Sequence, residues 1–271
     1  MILILRKIIL FIERDIVETI SYRLTFIMQF ISIFIHMIVW YFIAKLFGHT
    51  VTPQLKGIGG DYFSFVLVGI AFTRFFDAGL NVFSAKIGEA QIKGTLEAML
   101  VTSTSASSIL IFSSLWAFFY ALIHILVYFI SGTLFFNANL LNGNFILVIF
   151  VFLLSGLSLS GIGIIAAAFM IIFKRSLYLP TIMSYLFQIF SGVYFPVSTL
   201  PTWLANVSFA LPITYSLRAV RGLALQGLSL REVSFDIIIL ITFTLILLPL
   251  GLLFFEYAIK KAKKNGSLGA F

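Results

Sequence analysis

The chain contains no cysteine, which excludes disulfides, thiol nucleophiles and thiolate metal ligands. Charge is scarce as well: 10% of the 271 residues are Asp, Glu, Lys or Arg, against about 25% in a soluble domain. The three histidines, His36, His49 and His124, stand far apart. A lone intramembrane histidine ordinarily bonds a neighbouring helix, so no metal site is read here. The sequence has no G-x-x-x-x-G-K-S/T phosphate loop, no H-E-x-x-H and no serine nucleophile elbow. Nothing in it supports catalysis by this chain alone.

What is present is apolar. Hydrophobic residues make up 61% of the chain, 32 of them Phe, and the mean hydropathy is +1.12. The apolar residues come in blocks long enough to cross a bilayer, which marks an integral membrane protein. The net charge of +8 does not point to nucleic acid, because the basic residues sit at the ends of those blocks. That placement reads as membrane topology.

Six segments approach the ~20 residues that a ~30 Å hydrocarbon core requires: 22–47, 61–85, 107–136, 145–173, 177–195 and 234–257. Between them lie a turn-rich loop at 48–60, a polar turn at 137–144 and a basic turn at 174–176. The expected fold is therefore a single all-α integral membrane domain over 1–271, with six transmembrane helices. Residues 1–20 place Lys7, Arg14 and Glu18 on one stripe among Ile, Leu and Phe. This pattern suits an amphipathic helix lying in the membrane interface. No small-residue cleavage site follows it, so it does not read as a cleaved signal peptide.

Six crossings put both termini on one side. On that side fall Arg6, Lys7, Arg14, Arg23, Lys86, Lys93, Lys174, Arg175, Lys260, Lys261, Lys263 and Lys264. The other side holds Lys45, Lys56, Arg218, Arg221 and Arg231, and Arg74 lies within a span. The excess places both termini in the cytoplasm, with the chain in the cell (plasma or inner) membrane. The tail, 258–271, then meets the anionic inner leaflet.

The stretch EAQIKGTLEAML, residues 89–100, interrupts this apolar chain with charge. Read as one helix over 86–100, it puts Lys86, Glu89, Lys93 and Glu97 on one face. Ile92, Leu96, Met99 and Leu100 form an apolar stripe. Glu89 and Lys93 stand in the favourable i,i+4 order, and Gly94 lets another backbone approach. Two readings stand side by side: an amphipathic helix lying flat on the cytoplasmic side, or a solvated connecting loop.

The wider stretch GEAQIKGTLEAMLVTSTS (88–105) resembles the cytoplasmic signature of type-2 permease subunits of ATP-binding-cassette (ABC) exporters. That signature runs from an acidic residue through Gly-Thr-Leu-Glu to aliphatics and Thr or Ser. A second stretch, SGVYFPVSTLPTWLANVSFALPITYSLRAVRGLAL (191–225), is similar to the same family's region after the fifth span. It shares the aromatic-Pro, Leu-Pro-x-Trp, Pro-x-Thr-Tyr and closing Arg. The likeness covers essentially the whole chain. It departs after the Thr-Ser run, where the family often has Pro and this chain has VTSTSAS.

The resemblance implies that 86–103 is a coupling segment inserted into an ABC ATPase (nucleotide-binding) subunit. Glu89, Lys93, Gly94, Thr95, Leu96 and Glu97 are then the ATPase-coupling residues. ATP and Mg belong to that separate subunit, and this chain holds no cofactor of its own. The resemblance also implies a second copy of the chain, or a homologous permease, with the pathway running between the two along the second and fifth spans.

Arg74 and Asp77 lie within the second span, where a charge costs roughly 2.5–3.5 kcal/mol on insertion scales. At i,i+3 they suit a pair on one helix face. They line the pathway or form a structural pair. Asn81, Gln188 and Ser191 are their companions as pathway-lining candidates. Glu256 and Lys260 read as an i,i+4 pair at the inner boundary.

In 196–231, Pro196, Pro201 and Pro212 prevent any continuous span. The expected form is a pair of short helices dipping back from the outer face, with Trp203 and Tyr215 at interfacial depth. Arg218 and Arg221 are placed to meet lipid phosphates or an anionic product. The expected function is a permease that exports an amphiphilic drug-like or lipid-like substrate. Polysaccharide-exporting relatives carry a Tyr-Arg-x-Ser-x-Leu-Gly stretch that SYRLTFIMQF (21–30) matches only at its start. A permease for a polysaccharide or lipid-linked glycan is the alternative within the family. A membrane-embedded enzyme acting on a lipid substrate, or an ATP-independent channel, are the rivals from other classes.

Overall fold

The computed structural model describes residues 2–46, 61–138, 140, 143–173 and 178–265. The expected turns at 48–60 and 174–176, part of the polar turn at 137–144 and the last six residues of the tail lie outside them. So do His49, Lys56, Lys174 and Arg175. Among the described residues every regular element is helical: α1 (Ile2–Ser21), α2 (Arg23–Leu46), α3 (Tyr62–Ile92), α4 (Leu96–Val101), α5 (Ala106–Phe136), α6 (Phe145–Phe173), α7 (Tyr178–Phe190), α8 (Thr202–Phe209), α9 (Pro212–Leu225) and α10 (Ser234–Lys264). A 3-10 turn at Val197–Thr199 precedes α8.

Five helices, α2, α3, α5, α6 and α10, are long and apolar enough to cross a membrane. The chain is a multi-pass membrane protein. The segment expected at 177–195 is different: α7 has 13 residues, about 20 Å at 1.5 Å per residue. It stops at Phe190 because Gly192 turns left-handed (φ +79) and the Val193 N–H returns to the Gln188 carbonyl at 3.4 Å. Glycine takes this conformation without the Cβ penalty that other residues meet.

Local chemistry explains where the long helices begin. Asp61 caps α3 through the Ser64 N–H at 3.3 Å, and Ser105 caps α5 through the Ser108 N–H at 3.2 Å. Each cap satisfies an N–H that the helix itself cannot. Pro212 opens α9 where its missing N–H costs nothing. The tail residues Lys260–Lys264 continue α10 rather than forming a separate segment.

The core lies along α3, α6 and α9. Phe72, Phe75, Phe76, Leu67, Leu159 and Phe152 are fully enclosed there. A second cluster at the α4 end joins Phe83, Ile87, Leu96, Ile171, Phe255 and Ala258. Small residues let α6 pack closely on both flanks. A Cβ on Gly163 would lie 2.2 Å from the Gly79 carbonyl oxygen of α3, and one on Gly161 would lie 2.4 Å from the Leu247 carbonyl carbon of α10. In lipid, where apolar burial between helices is weak, such close backbone approach supplies much of the attraction. The outward faces of α2, α5 and α10 expose Ile, Leu and Phe, including Ile35, Phe42, Phe119, Leu245 and Leu253.

Candidate functional site

Three regions gather the residues that the sequence singled out. The first is the junction of α3 and α4. The expected single helix over 86–100 is broken there. α3 carries on to Ile92, Lys93 caps it, and Gly94 takes φ +66. The Thr95 N–H then reaches the Ala90 carbonyl (2.9 Å) and the Gly94 N–H the Gln91 carbonyl (3.0 Å). These two bonds satisfy carbonyls that the helix end leaves open and terminate it on a left-handed glycine. Gly94 is therefore needed for its conformation: a Cβ there would meet nothing within 4 Å, so close approach by this chain does not require it.

The break redistributes the charged face. Lys93 turns to Glu89 (2.5 Å) and to Glu18 of α1 (3.0 Å). These two carboxylates, Glu89 foremost, hold the Lys93 ammonium above the usual lysine range. Lys86 lies 3.4 Å from Asp15, a residue of α1 that is almost fully buried. Lys7 donates to Thr104 (2.7 Å) and Trp116 to Thr19 (2.9 Å). Thus α1 is tied by polar contacts to both ends of the α3–α5 connection, while Leu5, Ile9, Leu10, Val17 and Ile20 face outward.

Glu97 stands apart from that network. It lies in the first turn of α4, is exposed, and makes no hydrogen bond or ion pair among the described residues. The Thr95 hydroxyl bonds back to the Ala90 carbonyl (3.3 Å) and so helps close the turn. Leu96 is buried, with Met99 and Leu100 packed beside it. Ile92, expected on the same apolar stripe, is instead exposed, because the turn at Gly94 rotates it away.

Gly94→Ala is predicted to loosen this turn by about 1 kcal/mol, the usual penalty of a left-handed non-glycine residue. Amide exchange over 90–97 should quicken about fivefold for that loss. Gly94→Asn, which tolerates the conformation better, should change it less.

The second region is the middle of α3. This helix is mostly enclosed, yet Thr73, Arg74, Asp77, Ala78, Asn81 and Ala85 stay partly or fully open. Their spacing of three and four residues makes one continuous stripe that the other described residues leave uncovered. The expected pair does not form: no ion pair joins Arg74 and Asp77, and Asp77 turns to another helix. Asp77 accepts a hydrogen bond from Ser184 of α7, while Arg74 stays partly open on α3. α7 packs against α3 and so brings that hydroxyl to Asp77.

From Ser184 a polar ladder climbs α7. Gln188 donates to Ser184 (3.2 Å) and Tyr194 donates to Gln188 (3.1 Å). The Tyr194 ring stacks on Trp40 at 5.3 Å. Of the five pathway candidates, the structure joins Asp77 with Gln188 and leaves Arg74 and Asn81 on the open stripe. It puts Ser191 elsewhere, in the buried turn after α7. Glu256 accepts from Ser107 (2.9 Å) and makes no ion pair with Lys260.

The third region is 196–231, at the opposite end of α3 from α4. Its two short helices differ: α8 is largely exposed, with Trp203 outward, whereas α9 is buried along most of its length. Pro196 and Pro201 flank the 3-10 turn and α8, and the Tyr215 hydroxyl closes onto the Phe209 carbonyl at 2.8 Å. Both arginines bond within the chain, in different ways. Arg218 is held by Asp236 through its Nε (2.9 and 3.0 Å) and an Nη, and its guanidinium lies over Tyr215 and Phe235. Arg221 is buried. Its two Nη groups donate to the Gly192 (2.7 Å) and Val193 (2.8 Å) carbonyls, with the Phe65 ring 3.5 Å away.

The sequence reading missed Asp15, Ser184, Tyr194 and Asp236 as partners, and the glycines of α6. The run SGLSLSGIG (155–163) carried a visible signal for the last, since small residues repeat there at helical spacing.

A family model described as ABC-2 type transporter matches residues 8–225, from α1 to the end of α9. No curated protein matches the chain.

Proposed function

The chain belongs to the ABC-2 type transporter family and is an ABC transporter permease, and from that premise we propose that it forms half of an export pathway powered by a separate ATPase subunit. ATP and Mg bind to that subunit. The observation that carries this reading is Glu97: an unpartnered, exposed carboxylate on a short helix whose next-door Leu96 is buried in the core. An exposed charge of this kind suits docking on a soluble partner. A push on α4 passes through Leu96 to Ile87, Phe83 and α3. The same rigid helix carries Arg74, Asp77 and Asn81 on its open stripe, so movement at one end shifts the face at the other.

The open stripe supports a second copy, or a homologous permease, as the partner that covers it. In this reading the five long helices and the shorter α7 make six crossings, α1 lies at the inner interface, 196–231 re-enters from the outer face, and both termini lie on the cytoplasmic side of the cell membrane. The open face mixes one cation, one anion and an amide with Ala and Thr, beside the exposed Ile182, Leu186 and Ile189 of α7. That combination suits an amphiphilic drug-like or lipid-like substrate better than a polysaccharide.

Gentle purification from native membranes tests the proposal. A nucleotide-binding ATPase should accompany the chain in near-equal amount. Glu97→Arg, which alters no internal contact, should lose that partner or uncouple its ATPase by about tenfold or more, the scale of a broken interfacial charge contact. A chain that purifies with no nucleotide-binding partner overturns the reading.

A further inference from the structure

A cavity of about 610 Å³ opens between the turn after α7, α9 and the start of α10. Phe65, Leu217 and Phe235 give it apolar walls. Two of its lining residues, Arg221 (6% exposed) and Ser191 (1%), are buried, and each keeps one polar group without a partner: Arg221 Nε and Ser191 Oγ. Burying such donors unpaired is costly, and native structures usually supply them with an acceptor.

Charge points the same way. Among the described residues Arg221 has no carboxylate within ion-pair distance; its Nη groups end on neutral carbonyls. Arg218 is neutralised by Asp236, and Glu232 is turned to the Ser229 N–H (2.8 Å) and hydroxyl (2.7 Å). The buried arginine is thus an uncompensated cation beside a free hydroxyl donor, with apolar walls above it. Charges this deep are ordinarily paired.

We propose that this cavity binds the phosphate group of an amphiphile. A phosphate oxygen accepts from Arg221 Nε and Ser191 Oγ, and the apolar part lies along Phe65, Leu217 and Phe235. The volume falls within the 300–1,000 Å³ of ordinary ligand sites. The binding is independent of which substrate the permease carries. A membrane phospholipid and a free phosphate ion share the recognised chemistry.

Native mass spectrometry of the full chain in detergent separates these cases. Phosphatidylglycerol is compared with diacylglycerol of the same chains, which lacks only the phosphate headgroup. Wild type should retain phosphatidylglycerol and release diacylglycerol. Ser191→Ala removes a hydroxyl that bonds nothing in the protein, so folding is unaffected, yet phosphatidylglycerol affinity should fall about five- to tenfold, the worth of one hydrogen bond. Arg221→Lys should lower it further; should that variant fail to fold, Ser191→Ala carries the test.

Inorganic phosphate is added in parallel and the melting midpoint followed. A rise in wild type that Ser191→Ala abolishes supports the site with the free ion as its source. No rise, together with Ser191-dependent retention of phosphatidylglycerol, supports it with the lipid as source. Equal retention of phosphatidylglycerol and diacylglycerol, or retention unchanged in Ser191→Ala, overturns the proposal.

Discussion

Gly163→Val is expected to leave little correctly folded protein in the membrane. A Cβ at this position meets the Gly79 carbonyl oxygen at 2.2 Å, the Leu80 carbonyl oxygen at 2.9 Å and Phe83 at 3.0 Å. The first two are backbone atoms, so no side-chain rotation relieves the overlap, and α3 and α6 must part by about an ångström. Added bulk in a packed core costs about 1–3 kcal/mol even where neighbours give way. Here the upper end applies, and the separation also loosens the enclosure of Phe75 and Phe83.

The damage falls on the helix that carries both the α4 junction and the open stripe. Detergent-solubilised protein should melt roughly 6–12 °C lower, taking about 3 kcal/mol and the usual 2–4 °C per kcal/mol for a chain of this length. Gly222→Ala is the matched comparison: its nearest neighbour is the Leu228 Cδ1 at 2.9 Å, a side-chain end that can move. That variant should melt close to wild type. Equal midpoints for Gly163→Val and wild type would show that α3 and α6 are not in this register.

Arg221→Leu is the second large effect. The guanidinium holds two backbone carbonyls of the turn after α7, and nothing else among the described residues is bonded to it. Leucine fills part of the space but leaves the Gly192 and Val193 carbonyls buried without donors. Charge-assisted bonds are worth about 1.5–3 kcal/mol each. Part of that is recovered, because the desolvation of the guanidinium disappears too. A net loss of about 3 kcal/mol is expected.

The loss should be local first, read as new protease cleavage between 191 and 200 before global melting. Arg221→Lys should restore little, because an ammonium cannot present the planar fork that reaches both carbonyls. Arg218→Leu should cost less, since that side chain is half exposed and its pair with Asp236 is screened by solvent. If Arg218→Leu proves the more damaging, the turn is not anchored by Arg221.

Much of this molecule was legible in order along the chain. The long apolar blocks became helices close to their expected bounds, because ~20 apolar residues leave the backbone few ways to satisfy its own hydrogen bonds in lipid. The Gly-Thr-Leu-Glu stretch and the three prolines marked the two irregular regions. Two features depart from what spacing alone predicts. The 3.6-residue period runs through a single glycine and predicts one helix over 86–100, which the structure breaks at Gly94. The i,i+3 spacing of Arg74 and Asp77 suits a pair on one face, and Asp77 instead meets Ser184. A period cannot register a left-handed turn, and spacing along one helix says nothing of the hydroxyl that a neighbouring helix brings.

By itself, then, the sequence determined that the protein is helical, spans a membrane several times, and carries an exposed charged junction at one end and a proline-broken segment at the other. Those properties follow from local composition and backbone hydrogen bonding. Tertiary structure alone decided which charges are engaged and which are left open. Lys93 goes to Glu18, Asp77 to Ser184, Arg218 to Asp236 and Arg221 to two carbonyls, while Glu97 is left to the outside. Each choice depends on a residue from a distant part of the chain arriving within about 3 Å, the distance at which a hydrogen bond forms.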